Sequence, residues 1–245
     1  MNGKFSPPAS LPMAISLGLL CTAALAMSMA RVAYTGERTW SFLMWNLFLA
    51  WVPLGAAVLF RFLSPKGALT FFRGLLLGIL GLVWFLFFPN APYMVTDFIH
   101  INGREFFALT QGQWVFNREF LLWYDLVMMT LFVMTALMTG FWSLFLMQKS
   151  VRENFGRPLS WLFSGFVLFI ASFGIYLGRF IRWNSWDLVT NPKDLIKSVL
   201  GNFHDEALGF TLLFFAFLVL LYINFYYWSF LSVRESEGSH KGKEE

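Results

Sequence analysis

Six long apolar stretches alternate with short polar segments along the chain. Each stretch reaches about 18 residues or more, the length that a helix needs to cross the apolar core of a bilayer. Lipid offers the backbone no hydrogen-bond partners, so spanning segments form helices that satisfy their own amides. We therefore predict an all-α fold, a polytopic transmembrane helical bundle of about six spans. The spans are expected near residues 11–33, 40–62, 71–88, 120–148, 159–181 and 207–231.

Composition supports lipid as the solvent of this chain. Of its 245 residues, 58% are hydrophobic and 13% are charged, against roughly 25% charged residues in soluble domains. The net charge of +4 comes from basic residues at the ends of apolar stretches, a pattern typical of topology signals rather than of nucleic-acid binding. We therefore expect membrane lipid as a partner and no nucleic acid. The only cysteine, Cys21, excludes an intrachain disulfide and a cysteine metal cluster.

The distribution of lysine and arginine predicts the orientation of the bundle. Basic residues occur in the N-terminus, in the short loops after the second and fourth spans, and in the tail. Such short basic loops stay cytoplasmic, so both termini are predicted cytoplasmic. Residues 1–234 form the predicted transmembrane domain, and residues 235–245 a disordered cytoplasmic tail. Alternatively, the first span is a cleaved signal peptide, because Lys4 precedes a long apolar run and residues 24–26 read Ala-Leu-Ala.

A proline interrupts the third span on the predicted outer side. Pro89 removes a helical hydrogen bond and clashes with the preceding turn, so a broken helix is expected there. Asn90 is suited to cap the helix that follows. From that start Tyr93, Asp97 and His100 fall on one helical face, at spacings of four and three.

The fifth span ends in a second unusual stretch on the same side. Gly174 and Gly178 form a small-residue face that permits close helix approach. Arg179 and Arg182 follow at helical spacing, and Trp186 continues that face if the helix extends so far.

A short amphipathic helix is expected beyond this stretch, on the outer face. Asn191 suits its N-terminal cap, proline follows as the first helical residue, and Gly201 ends it. Such a helix would lie along the membrane surface or cover a pocket.

Asp125 lies about one turn inside the fourth span. An ionised carboxylate at this depth needs a partner, and Arg179 and Arg182 are the predicted candidates. One interpretation is a structural ion pair that locks the fourth span to the fifth. The other is that the arginines bind an anionic head group or carboxylate while Asp125 orients them.

His100 leaves three interpretations open. With Asp97, Asp125, Asp187 and His204 it could form a metal site or an acid–base pair, or it could be a hydrogen-bonded interfacial histidine. No His-x-x-x-His spacing occurs, so no metal site is assigned, and the sequence identifies no cofactor. The candidate ligand or ion-pair cluster is Asn90, Tyr93, Asp97, His100, Asp125, Arg179, Arg182, Asn184, Trp186 and Asp187.

Three strings carry a resemblance to a known family. They are FPNAPYMVTDFIH from Phe88, WYD from Trp123, and SFGIYLGRFIRWNSWDLVTNP from Ser172. Together they resemble a bacterial membrane family known as domain of unknown function 1361, over most of the chain from about Trp45 to Pro192. The resemblance implies a polytopic protein of the bacterial plasma membrane and brings no reaction, ligand or catalytic residue with it.

Three classes of function remain. The sequence favours a binding or accessory component whose outer-face cluster holds an anionic head group, an envelope precursor or a partner subunit in the membrane. A second class is a membrane-embedded hydrolase or transferase that acts on a lipid-linked substrate through Asp97 and His100. The third is a small transporter, which is less favoured because the polar residues gather at one end of the bundle.

Overall fold

A computed structural model gives the fold of residues 10–64, 70–103, 106–110, 113–183 and 205–241, together with residues 190, 191, 193, 194, 197 and 201. Six of its helices are long and apolar enough to cross a membrane, which confirms the predicted number of spans. The elements in chain order are α1 (Ser10–Thr35), α2 (Ser41–Leu63), α3 (Phe71–Phe87), α4 (Asn90–Tyr93), a 3₁₀ segment (Met94–Gly103), β1 (Phe107–Thr110), β2 (Gln113–Phe116), α5 (Phe120–Phe155), α6 (Arg157–Tyr176), a π-helical turn (Leu177–Ile181) and α7 (Asp205–Lys241).

Helix α5 is the centre of the bundle and packs against α1, α2 and α6. Its buried face carries hydroxyl side chains at Thr135, Thr139 and Ser143. Each hydroxyl donates to a carbonyl of its own helix, at 2.7 Å in all three cases. Ser143 also accepts a hydrogen bond from the indole of Trp84 at 3.2 Å. These polar groups are therefore satisfied without water, as the membrane interior requires.

The all-α class is confirmed, and one small β-hairpin is added to it. Strands β1 and β2 pair antiparallel, with Phe107 opposite Phe116 and Thr110 opposite Gln113. The hairpin lies between the 3₁₀ segment and α5. Next to it, the indole of Trp123 donates to the carbonyl of Asn117 at 2.9 Å.

Some predicted features fall wholly or mainly outside the described residues. The amphipathic helix expected between Asn191 and Gly201 is described at only a few positions. The side chains of Asn184, Trp186, Asp187 and His204 lie outside the description. Helix α7 runs to Lys241, and the disorder expected of the tail stays a prediction.

The bundle has two chemically different ends. The polar end contains the end of α1, the start of α2, α4, the 3₁₀ segment, the start of α5 and the π-helical turn. The basic end contains the end of α2, the start of α3, the end of α5 and the start of α6. All the candidate residues that the structure describes lie at the polar end.

Candidate functional site: two buried ion pairs at the polar end

The break after α3 sets up the site. Pro89 lies between α3 and α4, as predicted, and α4 has a single turn. The predicted cap is wrong, because no side chain caps α4 and Asn90 instead donates from Nδ2 to the carbonyl of Phe87 at 3.0 Å. The proline interrupts the helical hydrogen bonds of this turn, so the amide side chain supplies a partner to a carbonyl at the end of α3.

Glycines hold the broken segment tightly between α5 and α6. A Cβ atom on Gly140 of α5 would stand 2.6 Å from the Cβ of Ala91, and one on Gly174 of α6 would stand 3.4 Å from Pro89. The predicted role of Gly174 in close approach thus has a defined neighbour. Because the backbones of α5 and α6 approach Ala91 and Pro89 closely, the residues after Pro89 lie between these helices at the polar end.

The residues after α4 form a 3₁₀ helix rather than the α-helix implied by the predicted spacing. With three residues per turn, side chains three apart stand one above the other. Asp97 and His100 therefore share one side of the segment, with Thr96 and Tyr93 beside them. This side faces the end of α6.

Arg179 is the centre of what we call the Arg179 cluster, which consists of Asn46, Tyr93, Thr96, Asp97, His100 and Arg179. Its Nη2 donates to Asp97 Oδ1 at 2.5 Å, and its Nε donates to the hydroxyl of Thr96 at 2.8 Å. The guanidinium carbon lies 4.4 Å from the centre of the Tyr93 ring, a cation–π contact. Nη1 lies 3.4 Å from Nε2 of His100. Four neighbours therefore fix the plane of the guanidinium.

Asp97 is satisfied on both oxygens. Oδ1 accepts from Arg179, and Oδ2 accepts from Nδ2 of Asn46 in α2 at 3.0 Å. The carboxylate is 1% exposed, whereas the Arg179 side chain is 13% exposed. Buried charges are tolerated when they are paired and hydrogen-bonded. This pair consequently ties α2 and the 3₁₀ segment to the end of α6.

A change of helical geometry places Arg179. It lies in the π-helical turn that ends α6, and such turns often occur at functional sites. Arg182 follows with a left-handed backbone, at φ 63°, and its side chain is exposed. Regular helix therefore ends before Arg182. Gly178 fits beside Tyr93, because a Cβ there would stand 3.2 Å from the ring.

Asp125 belongs to a second group, the Arg31 cluster, which consists of Arg31, Trp40 and Asp125. Nε and Nη2 of Arg31 donate to the two oxygens of Asp125 at 2.6 and 3.1 Å. The indole of Trp40 donates to Oδ2 at 3.0 Å. The predicted pairing of Asp125 with Arg179 or Arg182 is therefore wrong. The side chains of Arg31 and Asp125 are 1% and 2% exposed.

The Arg31 cluster fastens α1 to the bundle. Tyr124, next to Asp125, adds a hydrogen bond from its hydroxyl to the carbonyl of Met27 at 2.7 Å. Glu37, in the loop after α1, places a carboxylate oxygen 3.9 Å from Nη2 of Arg31. Polar contacts therefore extend from the buried Arg31–Asp125 pair to the exposed carboxylate of Glu37 at the protein surface.

Aromatic rings connect the two clusters. Trp40 and Phe42 have ring centres 6.0 Å apart, and Phe42 meets the His100 ring edge-on at 5.0 Å. Both clusters therefore pack against the first turn of α2. His100 is exposed. It contacts both the ring of Phe42 and the guanidinium of Arg179.

The chain matches the family model described as Protein of unknown function (DUF1361) over residues 45–221, more than half of its length. The chain belongs to this family. No curated protein and no solved structure matches it. The whole Arg179 cluster of this DUF1361 protein lies inside the matched segment, whereas Arg31 and Trp40 precede it.

The structure brings together only part of the predicted cluster. Tyr93, Asp97, His100 and Arg179 meet, while Asp125 belongs to the neighbouring cluster. Among the residues that the structure describes, no group of three or more His, Cys, Asp or Glu side chains is arranged to hold a metal ion.

Sequence reasoning missed several participants in these contacts. Arg31 carried a usable signal, because it stands inside the first predicted span, where an arginine needs a partner. Trp40, Asn46 and Thr96 are ordinary residues for a membrane interface. Nothing in their spacing distinguishes them from the surrounding sequence.

Proposed function

We propose that this DUF1361 protein is a binding component of the bacterial plasma membrane whose Arg179 cluster, together with Arg182, holds an anionic head group. The observation that carries the proposal is the fixed guanidinium of Arg179. Asp97 and Thr96 hold it from one side and Tyr93 packs against its face. Its Nη1 edge points to exposed His100.

The chemistry of this arrangement favours an anion with several oxygens. The nitrogens of arginine are donors that match the oxygens of phosphate and carboxylate groups. In Arg179, Nε and Nη2 already donate to Thr96 and Asp97, so Nη1, next to exposed His100, is the nitrogen that can contact a ligand. A side chain already ordered by its neighbours loses less entropy when a ligand arrives. Arg182 adds a second, exposed positive charge three residues away. The proposed ligand is therefore a phosphate group, carried by a lipid head group or by an envelope precursor.

Acid–base catalysis by Asp97 and His100 receives less support from the same contacts. A general base needs an oxygen that can reach the proton it removes. Both oxygens of Asp97 already accept hydrogen bonds, from Arg179 and Asn46. The carboxylate therefore suits the anchoring of Arg179 better than proton transfer.

The proposed orientation places the polar end outside the cell and both termini in the cytoplasm. Its support is that the connections at the basic end are short, carry lysine and arginine and are nearly free of acidic residues, as the positive-inside rule expects of cytoplasmic loops. A head group or envelope precursor would then be met from the outer leaflet.

The test compares two exposed arginines at the polar end. Arg182→Gln removes a charge from the proposed site, and Arg38→Gln removes one from the loop between α1 and α2. The probe is farnesyl phosphate, titrated into purified protein and followed by native mass spectrometry. Arg182→Gln should weaken binding about two- to fivefold, the range for one exposed charge contact.

Arg38→Gln is the matched control and should leave the affinity unchanged. Arg179→Lys keeps the positive charge but loses the planar group that Thr96, Asp97 and Tyr93 hold in place, so it should weaken binding further. Equal losses in the Arg182 and Arg38 variants would show attraction by diffuse charge and would refute the site. An unchanged affinity in the Arg182 variant would refute it as well.

A further inference from the structure

The ends of α2 and α5 and the starts of α3 and α6, which define the basic end, carry mostly positive charge. The described parts of its four helix ends hold five basic residues and one acidic residue, Glu153. The basic residues are Arg61, Arg73, Lys149, Arg152 and Arg157. Positive charge at this depth is attractive to the phosphates of membrane lipids.

Two of these cations share one carboxylate. Arg61 of α2 binds Glu153 of α5 through two nitrogens, at 2.9 and 3.3 Å, and also donates to Ser150 at 3.2 Å. Lys149 stands 3.8 Å from the same glutamate. Glu153 therefore lies between two positively charged side chains that come from two helices.

The cations are fixed in place rather than extended into solvent. The side chains of Arg61 and Lys149 are 25% and 19% exposed, whereas Glu153 is 51% exposed. A topological signal requires only positive charge in a short loop. An arginine and a lysine that are mostly buried and come from two helices offer in addition a defined geometry for an anion.

The surroundings are those of an amphiphile. Arg73 of α3 donates from Nε to the carbonyl of Leu63 at 2.7 Å, so its guanidinium lies against the end of α2. At the same helix ends, Phe62 of α2 and Phe71 and Phe72 of α3 are exposed at 79–81% of their surface. A ligand with both a phosphate and acyl chains would cover the charges and the rings together.

We propose that the basic end binds an anionic glycerophospholipid, whose phosphate is held by Arg61 and Lys149 in competition with Glu153. Arg73 lies on the α3 side of this site, and the acyl chains run along the exposed phenylalanines. The exposed rings favour a lipid over a free phosphate ion. The site lies at the opposite end from the Arg179 cluster and does not depend on the function proposed for that cluster.

Because the glutamate competes with the phosphate, the proposal predicts an effect of unusual sign. Glu153→Gln should tighten binding of palmitoyl-oleoyl phosphatidylglycerol about two- to fivefold, since it removes the competing charge. Arg61→Gln should weaken binding by a similar factor. Both changes are at partly exposed positions, and full-length protein can be measured by native mass spectrometry in detergent.

Four controls define the outcome. Arg157→Gln removes an exposed charge from the same end and should change affinity little, and Arg182→Gln at the polar end should not change it at all. Phosphatidylcholine should bind more weakly than phosphatidylglycerol, and inorganic phosphate should not displace the lipid. The proposal is overturned if Glu153→Gln weakens binding or leaves it unchanged. Equal effects of Arg61→Gln and Arg157→Gln, or displacement by phosphate alone, would overturn it too.

Discussion

Replacing Asp125 by asparagine should destabilise the bundle strongly. The substitution keeps the shape of the side chain and removes its charge. Arg31 then remains buried with only the exposed carboxylate of Glu37, 3.9 Å away, as a counter-charge. The new amide group also offers a donor where Arg31 and Trp40 need acceptors. Three hydrogen bonds, at 2.6, 3.1 and 3.0 Å, are disturbed together.

The burial of the pair sets the magnitude. Both side chains are almost completely removed from solvent, at 1% and 2% exposure. Breaking a buried ion pair from one side costs about 3–5 kcal/mol, a large part of a typical unfolding free energy of roughly 5–15 kcal/mol. Glu153→Gln breaks the pair with Arg61, in which the Arg61 side chain is 25% exposed and the Glu153 side chain 51% exposed. That change should cost about 1 kcal/mol or less.

The assay unfolds the protein in mixed micelles with increasing amounts of a denaturing detergent. The loss of helix is followed by circular dichroism. Asp125→Asn should lower the unfolding free energy by several times the loss found for Glu153→Gln. The double replacement Arg31→Met with Asp125→Leu should recover much of the loss, because apolar residues of similar size leave no buried charge unpaired. Equal losses for the two single variants would refute the assignment of Arg31 and Asp125 as a buried structural pair.

Two further predictions test packing and orientation. Gly140→Ala places a Cβ 2.6 Å from that of Ala91 and should cost about 1–3 kcal/mol by overpacking, measured by the same unfolding assay. Gly165→Ala, which meets nothing within 4 Å, should be neutral, and an equal loss there would contradict the close approach. The orientation is tested in whole cells with a protein whose native Cys21 has been replaced. A membrane-impermeant maleimide should label Arg118→Cys and leave Arg157→Cys unlabelled. The opposite result would reverse the orientation.

The sequence by itself determined the spans and the place of the break. The free energy of a residue in lipid depends on its own side chain and on the continuity of the apolar stretch, so local hydropathy locates spanning helices. Proline disrupts the hydrogen bonds of the helix in which it stands, so Pro89 predicts the end of α3. The positions of Asp97, His100 and Arg179 at one end of the bundle follow from the same local reasoning.

Tertiary structure decided which charges meet. Arg31 and Asp125 are 94 residues apart in the chain, and Asp97 and Arg179 are 82 apart. Several arginines lie at a depth suitable for either aspartate, so depth alone does not select the partner. The choice depends on the rotation of each helix, and the 3₁₀ segment and the π-helical turn change that rotation from the ideal α-helical value. Only the packed bundle therefore separates the two ion pairs that the sequence had combined into one cluster.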